Sequence, residues 1–342
     1  MSTATHVLVG VDGSEPSRRA FDVALSIAQK RGWGLRLVST YSTPLDSYAY
    51  KPSVATELRR AVGQQAERTV AALADEASAA GLEVSTRVEA GNPSGLLIAE
   101  SATAALAVVG KRGRNRFAGR FLGSVSLSLT AHAQCPTLVV PEKWSGQGPD
   151  GLFAPAQERP ADAAGEPMRL VADSGPTLER RDFDNVEQVH NYDQQIVVGV
   201  DLGQSAEHIA RTAAAYAVAF DWPLTLVSAT NLPTEMYGEP DESRHTQVPA
   251  IERFTNHLKQ LAESVRAEHP GLTVEWKFFD GSPAGVLSEA TRTAPVVVIG
   301  TRGHGGFVGM LLGSVSQSVL TRTVAPVLVV PSVPQSHNRS SS

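Results

Sequence analysis

The chain contains itself twice. Residues 106–141 align with residues 296–331 at a constant offset of 190, without a gap, and 17 of the 36 positions are identical. Typical composition would yield about one identity in sixteen. The likeness continues upstream, where Val9-Gly10-Val11-Asp12 matches Val198-Gly199-Val200-Asp201 and Trp33 falls on Trp222, both at offset 189. Gly81-Leu82 and Gly91-x-Pro93 return as Gly271-Leu272 and Gly281-x-Pro283 at offset 190, so one residue has been inserted between the early and late parts of the second copy. Whatever one half folds into, the other must fold into as well. With 342 residues, each half is long enough to bury its own core.

Within a copy, apolar runs alternate with helical periodicity. His6–Val11 is continuously apolar, as a strand buried on both faces of a parallel sheet would be. Ala20, Phe21, Ala24, Leu25, Ile27 and Ala28 then recur at helical spacing. Leu35–Thr40 predicts a second strand, Thr56–Ala80 a long helix and Glu83–Glu89 a third strand. Gly95–Ala104 predicts a short helix, Ala107–Gly110 a fourth strand, Ser124–Ala133 a helix and Thr137–Val140 a fifth strand. Five strands with interleaved helices predict an α/β protein of two tandem, doubly wound parallel sheets in the order 3-2-1-4-5, with ligands at the carboxyl ends of the strands.

Between the copies the composition changes. Glu142–Gln194 holds five prolines and five glycines, and 11 acidic against 5 basic residues. Its net charge of −6 exceeds that of the whole chain, −5, so the two domains together are close to neutral. No basic field points to nucleic acid. The expected organisation is a first domain over 1–145, an acidic tether over 146–192, a second domain over 193–334 and a frayed tail over 335–342. The tether is expected to be mostly disordered, the alternative being that Met168–Val171 or Phe183–Val189 docks on a domain. The single cysteine, Cys135, excludes an intramolecular disulfide and reads as a small buried hydrophobe. No apolar run reaches the roughly 18 residues of a membrane span, and the first strand begins too early for a signal peptide. A cytoplasmic protein that binds no membrane is expected.

The chemistry is concentrated after the fourth strand. Gly300-x2-Gly303-x9-Gly313-Ser314 links an apolar strand to a helix, and Gly110, Gly113, Gly123 and Ser124 repeat that spacing. Glycine at a strand end permits a sharp turn and close ligand approach, and successive free N–H groups make an anion-binding concavity. Ser124 and Ser314 stand where a helix N-cap belongs, so the dipole of the following helix faces the same space. Phosphate suits such a site. Asp12 and Asp201 end the first strand of each copy, beside the fourth in a doubly wound sheet. A carboxylate there can accept from a ribose hydroxyl or an adenine amine, help hold Mg²⁺, or simply cap a helix.

Val-Gly-Val-Asp-Gly-Ser (9–14), the duplicated glycine loop and the closing Pro-x-Leu-Val-Val-Pro (136–141 and 326–331) resemble the universal stress protein family. The resemblance spans both copies, and so implies a tandem member with adenine nucleotide α-hydrolase-like domains, binding ATP with Mg²⁺. Carried over residue by residue, it implies that Gly10, Asp12, Gly110, Arg112, Gly113, Gly123, Ser124 and Val125 contact one nucleotide. Gly199, Asp201, Gly300, Arg302, Gly303, Gly313, Ser314 and Val315 would contact another. The resemblance also implies pairing through the fifth strands, within the chain or in a homodimer.

The copies depart from each other. Leu202-Gly203 follows Asp201 where Gly13-Ser14 follows Asp12, and Asn115 and Arg116 replace Gly305 and Gly306. Five basic residues (Lys111, Arg112, Arg114, Arg116, Arg120) crowd the first loop, as phosphate ligands or as a solvated surface. The first copy is expected to keep the better aspartate turn and the second the better loop. No Gly-x4-Gly-Lys-Ser/Thr motif and no obvious general base accompany the loops, and His304 is replaced by Arg114. An ATP-binding regulator of the stress response is therefore expected ahead of a slow ATPase, or a scaffold that binds no nucleotide. No catalytic residue and no protein metal site is assigned.

Overall fold

The computed structural model describes residues 5–42, 52–113, 122–142, 144, 169–173, 191–231, 242–303 and 312–332. The first domain runs β1 (His6–Gly10), α1 (Glu15–Arg31), β2 (Gly34–Tyr41), α2 (Pro52–Ala79), β3 (Val84–Ala90), α3 (Pro93–Glu100), β4 (Leu106–Gly110), α4 (Ser124–His132) and β5 (Thr137–Val140). A strand from the connecting segment, β6 (Arg169–Asp173), precedes the second domain. That domain runs β7 (Ile196–Gly199), α5 (Ala206–Phe220), β8 (Leu224–Thr230), α6 (Glu242–Glu268), β9 (Val274–Asp280), α7 (Pro283–Ala290), β10 (Val296–Gly300), α8 (Ser314–Arg322) and β11 (Val327–Val330).

Each domain has the 3-2-1-4-5 order, and the two sheets are one. The strands run β3-β2-β1-β4-β5-β11-β10-β7-β8-β9-β6 across eleven members. Within each domain neighbours are parallel, while β5 and β11 meet antiparallel with Leu328 opposite Leu138. The fifth-strand pairing is thus made inside one chain, and each of these strands has a partner on both sides. The central strands β4, β5, β10 and β11 are buried along their whole length, which is why they read as unbroken apolar runs.

Helices α1, α2, α5 and α6 cover one face of the sheet, and α3, α4, α7 and α8 the other. On each face a single apolar cluster passes through both domains: Ile27, Leu138, Phe220 and Leu328 belong to one, and Leu129, Val139, Val319 and Val329 to the other. The duplication therefore builds one three-layer body with a continuous core.

The tryptophans that mark the repeat have a backbone reason. Gly32 (φ 64°) and Asp221 (φ 57°) end α1 and α5 in the left-handed conformation. The following Trp33 and Trp222 N–H groups return to the Ala28 and Ala217 carbonyls at 2.9 and 3.0 Å. Both indoles pack against the core, the apolar contact that accompanies this type of helix end.

The connecting segment supplies an edge strand, since β6 pairs antiparallel with β9. These five residues form a strand within a segment expected from its composition to be mostly disordered. The rest of the tether from 145 to 168 and 174 to 190, and the tail from 333, lie outside the described residues.

One buried ion cluster belongs to the first domain alone. Glu100 on α3, 7% exposed, accepts from Arg36 on β2 and Arg87 on β3, where the second copy has Ala290, Thr225 and Lys277. Burial alone would raise the Glu100 carboxyl, but the two guanidinium groups hold it below its ordinary value. A carboxyl depressed in the folded state stabilises fully above its unfolded pKa, and the benefit disappears as pH falls through the folded value. Glu100→Gln is therefore expected to lower the urea midpoint at pH 7, by a difference that shrinks as pH falls through the folded value of Glu100.

Candidate functional site

Parallel pairing of β1 with β4, in register Val9 with Val108, brings the ends of these strands together. Asp12 lies just past β1 and Gly113 just past β4. A β-carbon placed on Gly113 would sit 2.6 Å from Asp12 Oδ2, and one on Gly303 would sit 2.8 Å from Asp201 Oδ2. In both halves the carboxylate therefore faces the glycine loop across a gap that admits no side chain.

The aspartates are held by local backbone. Ser14 donates its N–H (2.9 Å) and its hydroxyl (2.6 Å) to Asp12 Oδ1, while Asp12 N–H donates to Ser17 Oγ (3.3 Å). Gly13, at φ 79°, makes this tight turn possible. The helix cap itself is Ser14, whose hydroxyl accepts from Ser17 N–H. In the second half Gly203 N–H donates to Asp201 Oδ1 at 3.0 Å, and the capping residue of α5, Ser205, makes no side-chain cap bond. The second turn thus lacks the hydroxyl that Ser14 gives the first, and α5 lacks a side-chain cap.

The glycine loops are pinched at their necks. Gly123 N–H donates to the Lys111 carbonyl (2.9 Å) and Gly313 N–H to the Thr301 carbonyl (2.8 Å). The helices begin one residue earlier than the N-cap reading of Ser124 and Ser314 requires. Gly123 and Gly313 are the caps, in extended conformation, and the serines are the first helical residues. The physical consequence favours the site, because no side-chain cap bond occupies the first turn of either helix. Ser124 and Ser314 are exposed and Val125 and Val315 half-buried beside them.

Gly110 and Gly10 shape the floor. A β-carbon on Gly110 would lie 2.7 Å from the Pro16 carbonyl oxygen, and one on Gly10 would lie 3.0 Å from Leu97. Gly300 and Gly199 press on the side chains of Ile209 and Leu287 in the same way.

Arg112 is half-buried and forms an ion pair with Glu142 at 3.6 Å, whereas Arg302 is exposed. Lys111, one of the five basic loop residues, is neither solvated nor turned to the pocket. It is 9% exposed, and its Nζ donates to the Thr321 carbonyl of the other domain at 2.6 Å. Burial, reinforced by the Arg112 charge, pulls this ammonium down to about 8. Arg114, Asn115, Arg116, Arg120, His304, Gly305 and Gly306 lie outside the described residues.

Two serines escaped the sequence reading as parts of the site. Ser126 and Ser316 are buried and donate to the Gly110 and Gly300 carbonyls, both at 2.7 Å, tying each helix to the end of the strand before the loop. The recurrence of Ser-x-Ser at 124–126 and 314–316 was the available signal. Ser126→Ala leaves a buried carbonyl without this donor, and a loss of about 1–3 kcal/mol is expected by chemical denaturation.

The candidate site, then, is a carboxylate set against a glycine at a strand-to-helix loop, made twice. Sequence comparison defines the class further. The model of the "Universal stress protein family" matches residues 3–141 and again 194–331, and the chain belongs to that family. A universal stress protein of Mycobacterium tuberculosis is 29% identical over 96% of this chain and 97% of its own. One of Mycolicibacterium smegmatis is likewise 29% identical, over 96% and 98%. Among solved structures, a universal stress protein from Archaeoglobus fulgidus superposes over 96% of this chain and 98% of its own with TM-score 0.64 at 19% identity. A universal stress protein solved in complex with cAMP covers only 41% of this chain, at 28% identity and TM-score 0.31, too partial a fit to bear on the ligand here.

Proposed function

We propose that this protein is an ATP-binding regulatory protein of the stress response, acting in the cytoplasm, in which nucleotide occupancy changes loop order and partner contacts. One observation carries the reading: in both halves an aspartate faces a glycine loop that opens onto a helix start with no side-chain cap. Each element suits part of a nucleoside triphosphate. The first-turn amides around Ser124 and Val125, and around Ser314 and Val315, suit phosphate oxygens through their partial positive charge. Asp12 and Asp201 suit a ribose hydroxyl or an adenine amine. Arg302, exposed beside the second loop, would offer its charge to phosphate, while Arg112 must first give up or share Glu142.

The residues also fit Mg²⁺ held by phosphate rather than by a protein cage. Among the described residues no cluster of three His, Cys, Asp or Glu is present, and each pocket offers one aspartate. Magnesium usually takes one or two carboxylates, with waters and phosphates completing its shell. Asp12 and Asp201 would hold it, and it would neutralise phosphate charge.

The reading is one of binding and not of turnover, because the assembled groups are hydrogen-bond partners for a ligand. No helix is long and apolar enough to cross a membrane among the described residues. Mass spectrometry of nucleotide released from freshly purified protein, followed by equilibrium dialysis with ATP and with cAMP as competitor, tests the proposal. Two ATP per chain is the expected stoichiometry. Absence of released nucleotide together with no uptake of ATP would leave only a scaffold, and rapid phosphate release on ATP addition would make the protein an enzyme.

A further inference from the structure

We propose that Lys111 couples the two pockets, tying the loop neck of the first to the helix that opens onto the second; the inference rests on the nucleotide-binding reading above. Lys111 is the residue immediately after β4. Its N–H donates to the Val140 carbonyl (2.7 Å) and its carbonyl accepts from Gly123 N–H (2.9 Å), so its backbone closes the neck of the first loop. Arg112 and Gly113 follow directly, and Gly113 is the glycine against which Asp12 is set. Any ligand-driven change in this neck moves Lys111.

The side chain runs away from that pocket, across the seam between the domains. Its Nζ donates to the Thr321 carbonyl at 2.6 Å and approaches the Thr323 carbonyl at 3.5 Å. Thr321 lies in the last turn of α8 and Thr323 is its C-cap. A cation belongs at the carbonyl end of a helix, where the dipole and the unpaired carbonyls favour it. The amide end of the same helix is Ser314–Val315, in the second pocket. At about 1.5 Å per residue, the nine residues of α8 form a rod of about 14 Å with Lys111 at one end and the second pocket at the other.

This link is built once. The residue matching Lys111 in the second copy is Thr301, whose hydroxyl pairs with Ser332 Oγ at 2.8 Å and accepts from Ser332 N–H at 3.1 Å. Glu142, the partner of Arg112, is matched by Ser332 itself. The apolar clusters that cross the seam on both faces of the sheet need no buried ammonium to hold them, and burial works against the charge of this one. Linkage requires the coupling to be reciprocal: if ATP in the first pocket alters the second, ATP in the second alters the first by the same factor.

Hydrogen exchange on the full chain carrying Gly303→Ala, which disables the second pocket, tests the proposal. Saturating ATP is expected to change exchange at the amides of 319–324 by about fivefold or more, the low end of typical coupling. With Lys111→Met added, at an ATP concentration that saturates the first pocket of that variant, the response is expected to fall below about twofold. The Gly303→Ala chain decides without the lysine variant. If dialysis shows ATP bound and α8 does not respond, coupling through Lys111 is overturned while nucleotide binding stands. A response that persists in Lys111→Met overturns it too. If ATP binds neither Gly303→Ala nor Gly113→Ala nor the unaltered chain, the nucleotide reading itself has failed.

Discussion

Replacing Gly113 or Gly303 by alanine is expected to weaken ATP binding in the affected half by about ten- to a hundredfold, leaving one occupied site per chain at moderate ATP concentration. The added methyl would lie 2.6 Å from Asp12 Oδ2, or 2.8 Å from Asp201 Oδ2, well inside contact distance. The carboxylate must therefore turn away. In the first half it is anchored by the N–H and hydroxyl of Ser14, so turning also breaks those bonds. Overpacking of this kind costs about 1–3 kcal/mol, and each 1.4 kcal/mol is a factor of ten in affinity. The anchoring predicts that Gly113→Ala costs thermal stability as well as affinity, because the Ser14 bonds to Asp12 break with it. Calorimetric titration of both variants with ATP, beside their melting curves, measures both effects. Unchanged affinity in both would show that the aspartate and the glycine loop do not together hold the ligand.

The second large effect is expected at the seam. Leu328→Asp places a carboxylate opposite Leu138, in a layer that also holds Ile27, Leu106, Tyr216 and Phe220. A buried charge without a partner and the loss of a core leucine together cost about 3–5 kcal/mol, a large share of a typical folding free energy of about 5–15 kcal/mol. Because the cluster around Leu328 passes through both domains, the loss is expected to be felt by both. The unaltered chain should melt in one transition, followed equally by probes in either domain. Leu328→Asp should melt far lower or separate into two transitions, and differential scanning calorimetry distinguishes these from a chain whose domains melt independently from the start.

Much of this architecture was legible from the residues because periodicity reports burial. Strand β4 (Leu-Ala-Val-Val-Gly) is buried at every position, and helix α1 buries Ala20, Phe21, Ala24, Ile27 and Ala28 as the spacing predicts. The duplicated glycine spacing led to the neighbourhood of Asp12 and Gly113 because parallel strands one and four end side by side. Side-chain direction was less legible. Whether Lys111 faces a phosphate or the Thr321 carbonyl depends on a helix 210 residues away, and no local pattern encodes that. The cap fell on Gly123 rather than Ser124 because extended backbone, and not a side-chain hydroxyl, begins that helix. Strand β6 was hidden for a related reason. Its five residues become a strand by pairing with the edge of β9, more than a hundred residues away.

Two identical subunits joined by a twofold axis must change both interfaces and both sites whenever one gene changes. Here β5 and β11 bring the two halves together in a single chain, so the halves are free to diverge. They have: Ser14 against Gly203, Glu142 against Ser332, Glu100 against Ala290. Joined in one chain, the two halves always meet in equal number, and one can specialise while its sibling stays as it was.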